Sequence, residues 1–343
     1  MPSKLNPRYA LSFYLVDSNV VLNCEIDTMQ LTLSETKNEI AQRVNIAMAN
    51  TTVDGHLLSE CIHPRDRVVV SADDGERDEV VFRGYVWSIT YTNSRMKILQ
   101  ITAYDCLIYL MQTEDSRYYR SGLRSDQIIL DICAAWGITG EYIYAAIAHR
   151  NLPMSGKVAD MIVSVLDKVK ARTKQKYIIR SVNEDMNIWR AGTNGEVFDL
   201  VRGYNVISTS SNVDMSKVVT SVAITSKADD NGYSAIERTV DGDTGKWGTL
   251  RRIVSGSAYQ NDGTRSADRD RIYNSVDDEA YAILDEYGEP VHTFSCKAVD
   301  IPWVRKGDAV NVIAGDLSAK YLVTSIKHDA AAKTMELDLE TLK

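Results

Sequence analysis

The chain has 343 residues, with 47 acidic and 39 basic side chains and a formal charge of −8. Its length fits two or three domains and buries enough surface to fold without disulfides or metal. With 44% hydrophobic and 25% charged residues, 19 glycines and 6 prolines, it reads as globular and excludes collagen-like, linker-rich and low-complexity classes, while the acidic excess argues against a dedicated nucleic-acid binder, whose affinity comes from pairing Lys and Arg with phosphate.

The five cysteines, Cys24, Cys61, Cys106, Cys133 and Cys296, are scattered and never form a CxxC. They read as reduced thiols in a protein that folds in a cytosol. Residues 1–19 lack an apolar core of signal-peptide length, and no stretch of about 18 apolar residues occurs. The expectation is a soluble protein with no membrane insertion and no export signal of its own.

Residues 1–112 read as mostly strand. Arg65 to Val70 is stopped by an acidic turn, Ser71 to Glu76. Val80 to Thr92 follows, with Val81, Tyr85, Trp87, Ile89 and Tyr91 on one face. After Asn93-Ser94-Arg95, Lys97 to Tyr104 returns with Leu99, Ile101 and Ala103 on one side. Such β-branched and aromatic alternation predicts an antiparallel meander with a half-buried face.

Residues 113–205 change period and read as a small α+β module. Ser125 is placed to cap a helix through Ile128, Ile129, Ile132 and Cys133, with Gly137 as its stop. Val158, Met161, Ile162, Val165, Leu166 and Val169 keep helical spacing and predict a second helix. Lys168, Lys170, Arg172 and Lys174 suit the negative end of its dipole. Tyr177 to Val182 and Met186 to Trp189 predict a hairpin about Asn183-Glu184-Asp185.

Residues 206–343 return to strands. Val218 to Thr225 reads as strand, and 227–265 as a long surface loop rich in Asp, Gly, Asn and Ser. A helix at about 276–287 follows, with Val276, Ala280, Ile283, Leu284 and Tyr287 on one face and Gly288 and Pro290 as its stop. Four strands close the chain: Val291 to Val299, Ala309 to Ile313, Lys320 to His328 and Thr334 to Glu340. In the last, Met335, Leu337 and Leu339 alternate with polar residues.

The two ends share a design. Residues 65–70, 83–89 and 97–104 match 306–312, 320–326 and 334–340 if one gap precedes the last strand. Read as a repeat, this puts two copies of one barrel in a single chain, with the α+β module between them.

Signals for chemistry are sparse. His56, Cys61 and His63 lie close together but lack the pair spacing of a zinc site. Asp241-Gly242-Asp243 begins like a calcium loop, yet position twelve is Arg252 where a glutamate is needed. The run Asp73, Asp74, Glu76, Asp78, Glu79 reads as a solvated hairpin tip. No GxSxG, HExxH, GxxxxGK[ST] or GxGxxG occurs. The reading is no enzyme, no cofactor and no metal. A spatial Cys–His pair remains open, as do Arg83, Tyr85, Trp87, Tyr91 and Arg95 as a stacking surface, against packing into a core or interface.

A family likeness lies in the C-terminal third. Its parts are Val213 to Val219 before a strand, Gly245 to Ile253 after a loop, the helix around Ala280 to Leu284, Val304 to Val310, and Tyr321 to His328. In the N-terminal half, Arg83 to Val86 and Ala103 to Asp105 also fit. In this order the elements resemble the XkdQ-type tail proteins of contractile-tailed phages, defective prophages and phage-tail-like bacteriocins. These are similar to the baseplate hub of large myoviruses and to the hub half of type VI secretion spike proteins.

The resemblance implies a structural baseplate hub, a homotrimer in which each chain contributes two related barrels. Three chains then present six similar units, so a six-fold tail tube stacks on one side and a three-fold spike on the other. The implied partners are further copies of the chain, the tail tube protein, a spike protein, baseplate wedge proteins and a LysM or lytic tail protein. The implied location is the tail baseplate of a virion or phage-tail-like particle, assembled in the bacterial cytoplasm. Stable nucleic-acid binding is not expected, and an acidic or neutral lumen would let DNA pass.

The expected fold is α+β and strand-dominated: two related antiparallel tail-tube-like β-barrel domains, 1–112 and 206–343, flanking the module at 113–205. Tyr85, Trp87, Trp303 and Tyr321 are the candidate interface or core aromatics. The alternatives are a tail-associated cell-wall hydrolase, which needs Cys or a carboxylate meeting His in a cleft, and a receptor- or carbohydrate-binding tail module, which needs Trp and Tyr exposed on one face.

Overall fold

A computed structural model describes residues 7–24, 30–53, 55–92, 97–226, 232, 234–255, 279–315 and 317–342. The fold is α+β and dominated by strands. The chain divides into two compact units, one of residues 1–210 with 294–343 and one of residues 211–293.

The larger unit opens with strands β1 (Arg8–Leu15), β2 (Val20–Cys24), β3 (Gln30–Glu35) and β4 (Arg43–Ala49). The short hairpin β5 (Thr52–Val53) and β6 (His56–Leu57) and the one-turn helix α1 (Leu58–Cys61) lead to β7 (Arg67–Asp73), β8 (Asp78–Thr92) and β9 (Ile98–Tyr104). Alternation makes each strand two-sided. Phe13, Leu31, Val44, Val68, Leu99 and Ala103 are fully buried in one core. The acidic run spans the β7–β8 turn: Asp73 ends β7, Asp78 and Glu79 begin β8, and between them Asp74 Oδ1 accepts the Glu76 and Arg77 N–H groups at 2.9 and 2.8 Å.

The middle elements are α2 (Ile108–Gln112), β10 (Glu114–Tyr119), α3 (Ser125–Ala135), β11 (Leu152–Lys157), α4 (Val158–Thr173), β12 (Tyr177–Val182) and β13 (Asp185–Arg190). Ile128, Ile129 and Ile132 of α3 meet Met161, Ile162 and Val165 of α4 in their own core. Helix α4 ends on Lys174, which adopts φ 58° and donates its N–H to Lys170 O at 2.7 Å. Ser125 does not cap α3. Arg124 holds that position, with its N–H on Gln127 Oε1 at 3.0 Å. The Ser125 hydroxyl turns inward to Ile147 O at 3.1 Å and His149 Nε2 at 2.8 Å.

The rest of this unit is β14 (Phe198–Val201), the start of β15 (Val206–Asp214), most of β19 (Val291–Val299), β20 (Ala309–Ala314), β21 (Leu317–Asp329) and β22 (Thr334–Thr341). Val310, Val312, Tyr321, Val323, Met335, Leu337 and Leu339 fill its core. The strand path runs β2-β1-β7-β8-β9-β4-β3-β21-β22-β19-β15, with β20 on β21 and β14 parallel to β20. It is an open path, not two closed barrels, and the link between its halves is the antiparallel pairing of β3 with β21.

One four-strand arrangement occurs twice along that path. The order β7-β8-β9-β4 matches β20-β21-β22-β19, antiparallel throughout. Arg67 pairs with Tyr85 as Ala309 pairs with Leu322. Val86 pairs with Ala103 as Val323 pairs with Leu339. Both long strands carry a bulge at the same place, between Val86 and Ser88 and between Val323 and Ser325. The preceding loops match bond for bond. Arg65 N–H donates to Val86 O at 2.8 Å and Gly307 N–H to Val323 O at 2.7 Å. In return Val86 and Val323 donate to Asp66 O and Asp308 O, each at 2.8 Å. Arg65 and Gly307 both take positive φ, 76° and 88°.

The smaller unit contains β16 (Ser221–Thr225), β17 (Ile236–Asp241), α5 (Thr244–Trp247), β18 (Arg251–Ser255) and a helix over 279–287. Strand β16 is buried along its length, antiparallel to β17 and parallel to β18. Ala280, Ile283 and Leu284 pack on Val219, Val222, Ile224 and Val240. The stretch 227–265, expected as loop, therefore holds two strands and a helical turn among its described residues. Exposed, polar β17 gives little alternation to read, since four of its first residues face solvent. The expected helix residues 276–278 lie outside the described residues.

Candidate functional site

The larger unit is held together by buried charges drawn from three parts of the chain. Glu35 ends β3, Gln42 precedes β4 and Asp105 follows β9. Arg180 and Ser181 lie on β12. Arg305, Lys306 and Asp308 form the loop before β20. Arg305 Nη2 bonds Glu35 Oε1 at 2.7 Å and Gln42 Oε1 at 3.2 Å, while its Nε reaches Glu35 Oε2 at 3.2 Å. Its Nη1 donates to Ser181 O at 3.2 Å. Arg180 donates to Lys306 O at 2.7 Å and to Asp308 Oδ1 at 2.6 Å. The Lys306 ammonium is held by the carbonyls of Thr36, at 3.1 Å, and Glu39.

Burial works against the Glu35 charge, yet Arg305, with Arg180 and Lys306 nearby, outweighs it and holds the carboxyl down at about 2. Burial pushes Asp105 up to about 7, against the Gln42 and Leu107 N–H groups and Arg305. Burial also lowers Lys306. Breaking such a buried pair strands a charge and costs about 3–5 kcal/mol. The network therefore resists rearrangement of the three parts.

A second buried set lies on β21. His328 Nδ1 faces Asp300 Oδ1 at 2.6 Å, its Nε2 faces Val304 O at 3.0 Å, and Tyr9 OH donates to Asp300 Oδ2. Both ring nitrogens face oxygen atoms, an arrangement that favours the imidazolium. Burial works against that charge, but Asp300 prevails and raises the pKa.

The sequence-predicted aromatics do not form one site. Tyr85 and Trp87 come together around Tyr109 of α2, edge-on at 5.9 and 5.7 Å, and Trp87 also meets Tyr104 at 6.4 Å. Trp87 is 37% exposed. Tyr85 OH donates to Glu184 Oε1 at 3.0 Å, and Arg67 Nη2 bonds the same oxygen at 2.6 Å. Glu184 is at the tip of the β12–β13 hairpin, where it and Asn183 both take positive φ, so the module's tip rests on β7 and β8. Trp303 lies elsewhere, under the Arg77 guanidinium at 4.8 Å. Tyr321 is buried against Phe294 at 5.0 Å.

Groups with reactive potential are tied up structurally. Burial pushes the Cys24, Cys106 and Cys296 thiols up to about 11, the opposite of an activated nucleophile. Ser125 and His149 touch, but both are buried and serve the 147–149 backbone. His63 gives its N–H to Asp66 Oδ2 at 2.7 Å, and His56 Nδ1 is 4.0 Å from Glu60. Among the described residues no three His, Cys, Asp or Glu side chains gather as metal ligands. Among them too, no helix is long and apolar enough to cross a membrane.

Sequence reasoning missed the charged junction. Lys306-Gly307-Asp308 and Asp105 were visible only as family-like elements, because residues at strand ends carry no periodicity to mark them as buried.

A family model described as YQBQ-like matches residues 31–340. The chain belongs to the YQBQ-like family. No curated protein matches it. Among solved structures it is similar to the 43 kDa tail protein of prophage MuSo2 from Shewanella oneidensis, at 12% identity and TM-score 0.66, covering 98% of both chains. It is similar to a tail protein from Neisseria meningitidis, at 11% identity and TM-score 0.63, covering 97% of this chain and 96% of the other. An E. coli component of the type VI secretion system, described as similar to bacteriophage T4 tail proteins, matches at 10% identity and TM-score 0.56, covering 97% and 77%. The shared property is the fold, which the chain has in common with these tail proteins and this type VI secretion component.

Proposed function

We propose that this chain is a structural baseplate hub of a contractile phage tail or phage-tail-like particle. Three copies form a pseudo-six-fold ring that joins the tail tube to the central spike and shapes the channel. The observation that carries the reading is the doubled four-strand arrangement, with the same order, register, bulge and loop bonds in both halves. A chain with two like units gives a three-copy ring six like faces, which fits a six-fold tube on one side and a three-fold spike on the other. The fold shared with tail proteins supports the same reading.

In this reading 1–112 and 206–343 supply the barrel-like units, closed through neighbouring copies, and 113–205 is the module between them. The partners are the tube protein, a spike protein, wedge proteins and a LysM or lytic tail protein. The chain acts in the virion baseplate, without catalysis and without holding DNA.

Co-expression with the tube and spike proteins of the same particle tests this. Native mass spectrometry and electron microscopy are expected to show three copies of the chain capping a six-fold tube. A stable complex with any other copy number at the tube end, or particles that assemble normally without the chain, overturns the reading.

A further inference from the structure

The charged loop before β20 has an open side. Beside it lies a cavity of about 280 Å³, walled by the β7–β8 hairpin, by residues 194–198 and by residues 302–308. All of these segments belong to the larger unit. Val81, Phe198, Pro302 and Trp303 give the cavity an apolar wall, and Arg180, Arg305 and Asp308 bring charge to it.

Most of that charge is already engaged. Arg305 bonds Glu35, Gln42 and Ser181 O through all three of its side-chain nitrogens. Asp308 accepts from Arg180 and from the Arg305 N–H. Arg180 is the exception. Its side chain is 11% exposed, with Nε on Lys306 O and Nη2 on Asp308 Oδ1, and Nη1 has no partner among the described residues. Trp189 lies 6.0 Å from this guanidinium, a contact with the flat face that leaves the N–H edge free. The fully buried side-chain atoms without a partner among those residues are Arg43 Nε, Tyr142 OH and Trp247 Nε1. Arg180 Nη1 is not one of them, so it is open, and the space that Arg180 borders is this cavity.

The rim carries Arg77. Its guanidinium covers the Trp303 ring at 4.8 Å and pairs with Glu79 and Glu196 at 3.0 and 3.2 Å. Those carboxylates are more than half exposed, and pairs so exposed contribute little, so Arg77 leaves Trp303 at small cost. The site belongs to the second copy of the loop alone. In the first copy Asp66 takes the Val16 N–H where Asp308 takes Arg180.

We propose that this cavity binds the C-terminal residue of a partner protein, with the carboxylate on Arg180 Nη1 and an apolar side chain against Phe198 and Trp303 in place of Arg77. A guanidinium is the donor best matched to a carboxylate, and the more so when sheltered from water. The volume is just under the about 300–1,000 Å³ of small-molecule sites, room for one residue and not for a segment passing through. A chain end joins a carboxylate to an apolar side chain within one residue, which an internal aspartate or glutamate does not. This goes beyond the hub reading and is independent of the number of copies.

The test is titration of the full chain with a hexapeptide of glycine and serine that ends in phenylalanine and a free carboxylate. The same peptide with a C-terminal amide removes the charge, and one with phenylalanine at a free N-terminus sets a cation beside the same ring. Proton–nitrogen spectra follow the Trp303 indole N–H, assigned by its loss in Trp303→Phe. The free acid is expected to bind at about millimolar strength, as a one-residue anchor gives, and about tenfold more tightly than the amide, the effect of a charge-assisted hydrogen bond. Arg180→Lys is expected to remove that preference. Val80→Trp, at a lining position that is 40% exposed, is expected to weaken acid and amide alike. Far-UV circular dichroism confirms that each variant folds, and Val80→Trp leaves the charged loop intact should Arg180→Lys not fold.

No shift at millimolar peptide, equal affinity for acid and amide, tighter binding of the N-terminal phenylalanine peptide, or acid binding unchanged by Val80→Trp overturns the proposal. The three-copy particle is read separately by native mass, so the hub reading stands or falls on its own result.

Discussion

Asp66 and Asp308 hold the same position in two copies of one loop, and each folds its carboxylate back onto the N–H three residues before it. Asp66 Oδ2 accepts from His63 at 2.7 Å and Asp308 Oδ2 from Arg305 at 2.8 Å. The second oxygens have diverged. Asp66 Oδ1 takes the Val16 N–H at 2.8 Å, while Asp308 Oδ1 takes Arg180 at 2.6 Å. The local turn is kept, and the long-range bond is rebuilt from neutral to ionic.

That divergence sets unequal costs. Asp66→Ala leaves two backbone donors unpaired and is expected to lose about 2 kcal/mol. Asp308→Ala also strands the nearly buried Arg180 and is expected to lose about 4 kcal/mol. Urea unfolding measures both. Coupling to Arg180→Ala in a double-mutant cycle is expected only for Asp308, and equal coupling for both aspartates would refute the assignment.

Glu35 contributes to the acid limb of stability, as does Glu340, whose carboxyl is also held down at about 2. The Glu35 carboxyl is lowered from 4.5 to about 2 in the folded chain. The stabilisation is therefore complete above the unfolded value and is lost as pH falls from about 4.5 towards 2. Glu35→Gln is expected to flatten this limb and to lower stability at neutral pH. An unchanged slope in the variant would show that the junction does not carry the acid sensitivity.

His328 makes the opposite limb. Its folded pKa is raised above the ordinary 6.5, so its contribution is complete below that value and is lost as pH rises through the folded one. Nitrogen-15 spectra at pH 6.5, where an ordinary imidazole is half charged, are expected to show His328 with both ring nitrogens mostly protonated. His328→Gln is expected to remove this group's loss of stability with rising pH and, by leaving Asp300 short of a partner, to cost about 3 kcal/mol. A ring mostly neutral at pH 6.5 would contradict the bonding pattern.

Gly307 and Arg65 share a left-handed backbone but not its surroundings. A Cβ on Gly307 would be 2.7 Å from Ile178 Cγ1. Gly307→Ala therefore combines conformational strain with a clash and is expected to cost about 2 kcal/mol or more. Arg65→Gly relieves the same strain and adds only unfolded-state freedom, so a change within about 1 kcal/mol is expected. Thermal unfolding compares them, and a cheaper loss at Gly307 than at Arg65 would be the contrary result.

Patterns that repeat within a few residues could be read without coordinates. The apolar spacing of Val158 to Val169 marked α4, and the alternation of Met335, Leu337 and Leu339 marked β22. Even the doubling was legible, down to the single gap before the last strand, because the same alternation and the same turn residues recur. Partners far apart in the chain were not. That Glu35 would meet Arg305, that β3 would pair with β21, and that polar 236–255 would form strands beside β16 depends on contacts between segments with no local signature. Periodicity reports which face of an element is apolar, and it is silent on which charged end or free edge another segment will come to cover.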